Sequence, residues 1–271
     1  MRLVIKIGGK ALEDRAGRRE VARQIAEQSR SGHRVVVVHG GGKLLTETLN
    51  RLGIPTEFHN GLRVTDAAAR DVALMVLAGI VNKQWVAELE AHGQPALGIC
   101  GGDGGLVVAR KLKVGLNGSR KDLGYVGRPR KVNPCILEMA WKKGIVPVVA
   151  SLAPGPKGEY FNINADDFAA ALAQGVKAHR LIYLTESGGV WDAEQRLLPL
   201  VKVSEIGSLI RRGVVRDGMI PKLRSCARTL GRNVGEVDIL SPAAPGALLE
   251  ALHAGQPASA GKHAGTRIVK G

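Results

Sequence analysis

Two short stretches of this chain join an apolar strand pattern to glycines, and each could hold an anion. Leu3-Val4-Ile5-Lys6-Ile7 runs into Gly8-Gly9, and Val35-Val36-Val37-Val38 runs into His39-Gly40-Gly41-Gly42. Runs of branched apolar residues without polar alternation suit a strand covered on both faces, as in a parallel sheet. Glycines after such a strand let the backbone turn sharply and approach a ligand. The free N–H groups of a following helix attract phosphate or carboxylate. One such stretch needs nothing more than a tight strand-to-helix turn. Two of them, one with a lysine inside the strand, point to an anion, because a lysine there is costly without a negative partner. Gly40-Gly41-Gly42-Lys43 is not the end of a P-loop, since Leu44 stands where Ser or Thr is required and the earlier glycine is missing. Neither turn carries Gly-x-Gly-x-x-Gly with a later acidic residue, so dinucleotide binding is weakly supported.

Three further positions have the right chemistry. Lys222 follows Gly218-Met219-Ile220-Pro221, and a proline in the first helical turn puts this lysine near a helix N-terminus. Cations favour the other end, so Lys222 is either a solvated surface residue or is held against an anion; with Lys6 it suggests a clamp on a polyphosphate from two sides. Asp166 follows Asn162-Ile163-Asn164-Ala165, where period-two spacing sends both asparagines to one side and the aspartate begins a helix. A helix cap with turn asparagines is the plainer reading of that segment. Arg63, in Asn60-Gly61-Leu62-Arg63-Val64-Thr65-Asp66, precedes a helix that Thr65 or Asp66 can cap. Its guanidinium fork could take a carboxylate bidentately or could be a solvated loop charge.

The elements that must position these residues alternate along the chain. Helical periodicity covers Arg18 to Ser29, Leu44 to Leu52, Asp66 to Ala78, Val81 to Ala91, Pro134 to Lys143, Asp166 to Gly175, Val203 to Arg212, Pro221 to Leu230 and Gly246 to Ala254. Strands are expected at Arg34 to Val38, Ala96 to Ile99, Ile145 to Ala150, Leu181 to Leu184, Val237 to Leu240 and near Thr266 to Val269, with a hairpin over Gly104 to Gly127 turning at Asn117-Gly118. Repeated strand–helix units imply an α/β protein, a three-layer αβα sandwich with a mainly parallel central sheet, binding its ligands at the C-terminal strand edges.

Composition narrows the classes. The 271 residues are 45% hydrophobic, enough for a substantial core. No uninterrupted apolar run approaches the roughly 20 residues that span a bilayer, and no signal-peptide pattern opens the chain, which reads as cytoplasmic. Cys100, Cys135 and Cys226 lack disulfide or zinc spacing and read as core thiols. The net charge of +15 is densest from Arg110 to Lys131, but aromatic residues make up only 3% of the chain, poor material for stacking bases. A solvated basic surface that attracts polyanionic substrates accounts for it without nucleic acid.

These residues together resemble the acetylglutamate kinases of the amino acid kinase family, and the match runs nearly end to end. It rests on Lys6-Ile7-Gly8-Gly9, His39-Gly40-Gly41-Gly42, Asn60-Gly61-Leu62-Arg63-Val64-Thr65-Asp66, Leu77-Ala78-Gly79 with Val81-Asn82-Lys83, Asn162-Ile163-Asn164-Ala165-Asp166, Gly218-Met219-Ile220-Pro221-Lys222 and Gly265-Thr266-Arg267-Ile268. The resemblance implies ATP-dependent phosphorylation of the γ-carboxylate of N-acetyl-L-glutamate in arginine biosynthesis. Lys6 and Lys222 would neutralise the transferring phosphoryl group and Asp166 would orient both ammonium groups. Gly8, Gly41 and Gly42 would offer amides to the nucleophile and phosphoryl group, with Gly9 also at the phosphate. Arg63 would hold the substrate α-carboxylate, with Asn162 beside it. ATP would lie along Glu186, Ser187, Gly188, Gly189, Val190, Trp191, Val214, Val215 and Arg216, its Mg²⁺ held mainly by the phosphates, with no metal site in the protein.

The resemblance also implies an N-terminal lobe, 1–150, for acetylglutamate binding and dimerisation, and a C-terminal lobe, 151–271, for ATP. The chain opens directly on its first strand, without the extra N-terminal helix of arginine-inhibited members, which implies an uninhibited homodimer. Its third glycine turn, Ile99-Cys100-Gly101-Gly102-Asp103-Gly104, lacks the lysine of the Ser-Gly-Lys-Asp-Gly pattern. Two other readings stay open: a kinase for aminoadipate or glutamate carried on an acidic carrier protein, which the +15 charge would suit, and a non-catalytic binding protein on the same fold.

Overall fold

Leu3, Val4, Ile5 and Ile7 are all fully buried, yet they belong to two different cores: Val4 packs with Val36 and Val38 on one face, while Leu3, Ile5 and Ile7 pack with Val35 and Val37 on the other. An apolar strand without alternation is thus covered on both sides, as its sequence demands. The computed structural model describes residues 1–8, 14–116, 119–215, 219–244, 246–253 and 265–271. The expected site residues Gly9 and Arg216, and the Asn117-Gly118 turn, lie outside the described residues.

In chain order the elements are β1 (Arg2–Ile7), α1 (Arg15–Arg30), β2 (Arg34–His39), α2 (Gly42–Arg51), β3 (Phe58–His59), β4 (Leu62–Arg63), α3 (Ala67–Ala91), β5 (Ala96–Cys100), β6 (Val107–Leu116), β7 (Ser119–Val132), α4 (Cys135–Lys142) and β8 (Val146–Ala150). There follow β9 (Leu152–Pro154), β10 (Tyr160–Ile163), α5 (Ala165–Gly175), β11 (Arg180–Leu184), β12 (Leu200–Lys202), α6 (Val203–Arg211), α7 (Met219–Leu230), β13 (Glu236–Leu240), α8 (Ala247–His253) and β14 (Gly265–Val269).

The central sheet has eight strands in the order β12-β14-β13-β11-β1-β2-β8-β5. All neighbours are parallel except β13 and β14. The strands from residues 1–150 form one half of this sheet and the later ones form the other, so β1 and β11 are the seam. Chain order reverses at β1, which places a crevice at its carboxyl end.

Four expectations are corrected. The two helices drawn over Asp66 to Ala78 and Val81 to Ala91 are one helix, α3, wound as a π-helix through Leu74–Val81. Gly79 lies inside that stretch, where wider winding carries the chain through instead of stopping it. By length and composition α3 could cross a membrane, contrary to the absence of such a segment in the sequence reading. Here Val72, Val76, Leu77, Val81, Trp85 and Leu89 are buried in the protein core. The hairpin is longer than drawn, running to Val132 through Pro129, and with β9 and β10 it builds a second sheet in the order β6-β7-β10-β9. Cys135 is exposed at the start of α4, while Cys100 and Cys226 are core thiols.

The basic hairpin is partly neutralised. Lys111 pairs with Asp122 at 2.7 Å and Lys121 with Glu57 at 2.6 Å.

Candidate active site

The crevice at the carboxyl ends of β1 and β2 is a cavity of about 270 Å³, and Lys6, Gly8, Gly41, Gly42, Arg63 and Asn162 all line it. Residues as distant as 6 and 162 meet because β1 and β2 are adjacent strands and the chain of β10 leads straight into α5.

Lys6 shares the face of β1 that carries Val4, and its ammonium lies 2.8 Å from Asp166 Oδ1. Asn164, not Asp166, caps α5: its Oδ1 accepts the N–H of Asp166 at 2.9 Å and of Asp167 at 3.2 Å. The Asp166 carboxylate is thereby free to face the cations. Lys222, in the first turns of α7, donates to Asp166 Oδ2 at 2.5 Å and lies 4.9 Å above the ring of Tyr183, whose fully buried ring fixes its approach. The three charged side chains keep 14%, 14% and 25% of their exposure, so water screens them weakly. Burial pushes the Asp166 carboxyl up, but the Lys6 and Lys222 ammonium groups outweigh it and hold the group below the usual aspartate value. Of the two readings of Lys222, the solvated one is ruled out by this geometry.

The glycines divide into two roles. Gly41, at φ 147°, ends the strand and precedes α2; a Cβ there would sit 2.8 Å from Leu77 and 3.0 Å from Val81. Gly42 opens α2 and lines the crevice, and first-turn amides have no acceptor within their own helix, which leaves them available as donors. Gly8 differs from expectation. Its N–H donates to the Leu184 carbonyl at 3.1 Å, continuing the pairing of β1 with β11, and so does not supply a ligand amide. Its lack of a side chain is what the site uses, since a Cβ would stand 2.5 Å from the Lys6 ammonium.

Arg63 is 7% exposed. One nitrogen of its fork donates to Thr46 Oγ1 at 2.6 Å and to the Gly42 carbonyl at 3.1 Å, the other to Thr56 Oγ1 at 3.4 Å, and the guanidinium lies 4.6 Å above the Phe58 ring. Among the described residues no acidic side chain pairs with it, and burial alone pulls its pKa down. A buried guanidinium with only neutral partners is an open seat for a ligand carboxylate. Asn162 donates to Thr65 Oγ1 at 3.5 Å, and Thr65 Oγ1 donates to the Arg63 carbonyl at 2.9 Å.

A second cavity, of about 360 Å³, is lined by Gly189, Val190, Trp191, Val214 and Val215 among the expected nucleotide residues, and by Asp192, Gly213 and Met219. Glu186, Ser187 and Gly188 do not line it. Ser187 instead accepts the Trp191 indole N–H at 2.8 Å, and Thr266 Oγ1 accepts the Val190 amide at 2.7 Å, which hold this wall in place. Met219 and Lys222 are one turn apart on α7, so the triad Lys6–Asp166–Lys222 stands between the two cavities.

Thr46, Thr56, Phe58 and Ser151 belong to the first site or its support and were not singled out from sequence. Thr46 alone left a trace, one turn after Gly42 on the same helix, where its hydroxyl donates to the Gly42 carbonyl at 2.8 Å.

Residues 1–241 match the model of the amino acid kinase family. An acetylglutamate kinase from Koribacter versatilis (strain Ellin345) is 49% identical over 240 residues, covering 89% of this chain and 90% of the relative. Among solved structures, the N-acetylglutamate synthase from Neisseria gonorrhoeae complexed with coenzyme A and N-acetyl-glutamate superposes with a TM-score of 0.85 at 27% identity; all of this chain is matched, spanning 59% of the synthase chain. A carbamate kinase from Giardia lamblia bound to AMP-PNP shares the fold alone, with a TM-score of 0.67 at 19% identity over 100% of this chain and 98% of that one. On its matched length and on the identity and coverage of these relatives, the chain belongs to the amino acid kinase family, among its acetylglutamate kinases.

Proposed function

We propose that this chain transfers the γ-phosphoryl group of ATP to the γ-carboxylate of free N-acetyl-L-glutamate, forming N-acetyl-L-glutamyl 5-phosphate in arginine biosynthesis. The observation that carries this reading is the pair of ammonium groups on one carboxylate, set between a cavity with an unpaired guanidinium and a second cavity with an apolar wall. A γ-carboxylate is already ionised at neutral pH, so no general base is needed. A carboxylate oxygen attacks the γ-phosphorus, the bond to the bridging oxygen breaks, and its electron pair leaves with ADP. What the protein must supply is alignment of two mutually repelling anions and stabilisation of spreading negative charge.

The residues divide that work. Arg63 holds the α-carboxylate and Asn162 contacts the same part of the ligand. Gly41 and Gly42 aim amides at the acceptor and transferring group, Lys6 neutralises the γ-phosphoryl, and Lys222 neutralises the bridging oxygen as it leaves. Asp166 keeps two like charges side by side while the site is empty and orients them when it is filled. Gly189 to Trp191 and Val214 to Val215 seat the nucleotide, with Glu186 to Gly188 at its margin; the roles of Gly9 and Arg216, outside the described residues, are what the family resemblance implies. The 1–150 lobe thus supplies most of the acceptor site, to which the 151–271 lobe adds Asn162, and the 151–271 lobe takes ATP.

Among the described residues no group of three His, Cys, Asp or Glu side chains gathers to hold a metal, and both oxygens of Asp166 face ammonium groups, so the residues present do not form a magnesium cage. Mg²⁺ is carried by the phosphates of ATP in this reading. Met75 and Ile80 on α3 and Leu97 on the edge strand β5 are exposed apolar residues, and a homodimer that covers them explains an apolar helix buried on one side only. A cytoplasmic location follows from the use of ATP. The test is an assay of purified protein with ATP and free N-acetyl-L-glutamate, trapping the product as a hydroxamate: a signal dependent on both substrates is expected, and its absence refutes the reading.

A further inference from the structure

His39 and Asn82 are both fully buried and neither touches the cavity, yet they meet beneath the glycine turn. His39 closes β2, level with Ile7 of β1 and Ala150 of β8. Asn82 interrupts the apolar core side of α3 between Val81 and Trp85. A polar pair this deep is retained only with its hydrogen-bonding capacity met.

The bonds fix the orientation of both groups. The Lys83 ammonium donates to Asn82 Oδ1 at 3.3 Å, while Asn82 Nδ2 reaches the Val148 carbonyl at 2.9 Å and the Ile99 carbonyl at 3.3 Å. The amide nitrogen therefore faces inward. The same nitrogen lies 3.1 Å from His39 Nε2; its two hydrogens serve three acceptors, one of them shared, and Nε2, facing a group that can only donate, is an acceptor. The proton of the neutral imidazole then sits on Nδ1, and Nδ1 donates to the Gly40 carbonyl at 2.8 Å. Burial pushes the imidazole pKa down to about 4, so the ring is neutral at neutral pH, and its two hydrogen bonds select this tautomer. The Gly40 carbonyl and the Gly41 amide belong to one planar peptide. Fixing that oxygen fixes the direction of the next N–H, and Gly40 itself packs against Ala165 beside Asp166.

We infer that His39, held by Asn82, is a positioning residue for phosphoryl transfer: it locks the Gly40–Gly41 peptide so that the amides of the turn point at the acceptor carboxylate. The inference rests on the reading that Gly41 and Gly42 contact the acceptor. It assigns a purpose to the histidine of the His-Gly-Gly-Gly run that is neither proton transfer nor metal binding, and one to the asparagine in the middle of an apolar helix.

The test compares His39→Leu with His39→Asn by thermal melting and by kcat and KM for both substrates. Leucine fills the space without a donor; asparagine leaves a gap but brings an amide nitrogen near the place of Nδ1. For His39→Leu we expect kcat about 10- to 100-fold lower, the scale on which a misaligned reacting group acts, with KM for ATP nearly unchanged, and we expect His39→Asn to recover most of the loss. A folded His39→Leu with native kcat, or a His39→Asn no better than the leucine variant, overturns the inference. If His39→Leu does not fold, His39→Gln replaces it: glutamine reaches the Nε2 place instead, so glutamine matching or exceeding asparagine overturns it equally. Gly41→Ala separates this inference from the reading beneath it. Native kcat and KM in that variant remove the turn from the acceptor site altogether, whereas a damaged Gly41→Ala beside an unaffected His39→Leu removes only the role of His39.

Discussion

Two aspartates in this molecule each stand between two cations, and they are built for opposite purposes. Asp238, in the middle of β13, is fully buried, with Arg267 Nε 3.0 Å and Arg180 Nη1 3.5 Å from its oxygens. Both arginines also donate to the Ala251 carbonyl in the last turn of α8, so their planar forks are pinned to the backbone and tie α8 to the sheet. Burial pushes the Asp238 carboxyl up, against the pull of the two guanidinium groups. Asp166 keeps a quarter of its side-chain exposure, and its lysines are single charges on flexible stems at the edge of a cavity. A lysine can turn from the carboxylate to an incoming phosphate, whereas a pinned arginine cannot. Two cations about an aspartate make a staple in one place, where Glu236 also pairs with both arginines, and the proposed clamp in the other, where Asp166 is the carboxylate both lysines pair with.

Substitutions should pull these roles apart. The largest effect is expected from Lys222→Ala, which on the proposed function removes charge at the leaving oxygen: kcat should fall about 1,000-fold, roughly 4 kcal/mol of transition-state stabilisation, with little change in melting temperature. Steady-state rates on a variant shown to be folded decide it, and an active Lys222→Ala would end the clamp reading. Next in size, Asp238→Asn should destabilise the fold by about 3 kcal/mol, because a buried amide nitrogen would face guanidinium donors where an acceptor oxygen stood, although Glu236 still pairs with both arginines at 3.2 and 3.5 Å. Denaturant titration measures this, and kcat per folded molecule should stay near native. If instead kcat collapsed in a stable protein, Asp238 would be part of the chemistry. Asp166→Asn should show both effects in smaller measure, about 1–3 kcal/mol in stability, between exposed and buried pairs, with a larger loss in kcat than in KM.

The contrast between the two aspartates also marks how far the sequence could be read. β1, β2 and their glycine turns announce themselves because a buried strand, a sharp turn and a helix start each leave residues of a definite type at a definite spacing. Lys6 stands out as a charge inside an apolar strand. Asp166 does not: Asn162, Asn164 and Asp166 are all good cap residues, and only the observed bonds show that Asn164 caps α5 and frees Asp166. Asp238 and its arginines lie 29 and 58 residues apart in sequence, so nothing local signals them. The second sheet was unreadable for a related reason, since β7 pairs with β10 at Val126 and Asn162, a contact set by topology. Gly8 looked like an amide donor because local sequence cannot reveal that its N–H belongs to the β11 ladder.

Arg63 sharpens the comparison from a third side, as a buried cation with no aspartate paired to it among the described residues. Arg63→Ala should raise KM for N-acetyl-L-glutamate about 10- to 100-fold, the worth of one to two charge-assisted hydrogen bonds, while kcat at saturation and KM for ATP move little. Arg63→Lys should not rescue it fully, since one point charge replaces a fork. An equal rise in both KM values would show that Arg63 shapes the whole cleft and does not seat one carboxylate.

The smallest effect expected is in pH dependence, and its sign differs between the two aspartates. The Asp166 carboxyl lies below its unfolded value, so its contribution to stability is complete above about pH 4 and is lost as pH falls through the lowered folded value. The Asp238 carboxyl lies above its unfolded value, so its contribution is complete at low pH and is lost as pH rises through the raised folded value. Melting temperatures of the native protein, Asp166→Asn and Asp238→Asn from about pH 3.5 to 8 test this directly. The gap between native and Asp166→Asn should stay constant over most of that range and close only at its acid end. The gap between native and Asp238→Asn should instead narrow as pH rises. Two gaps that move in the same direction would mean that both carboxylates sit in the same electrostatic balance, and that the clamp is distinguished from the staple by lysine mobility alone.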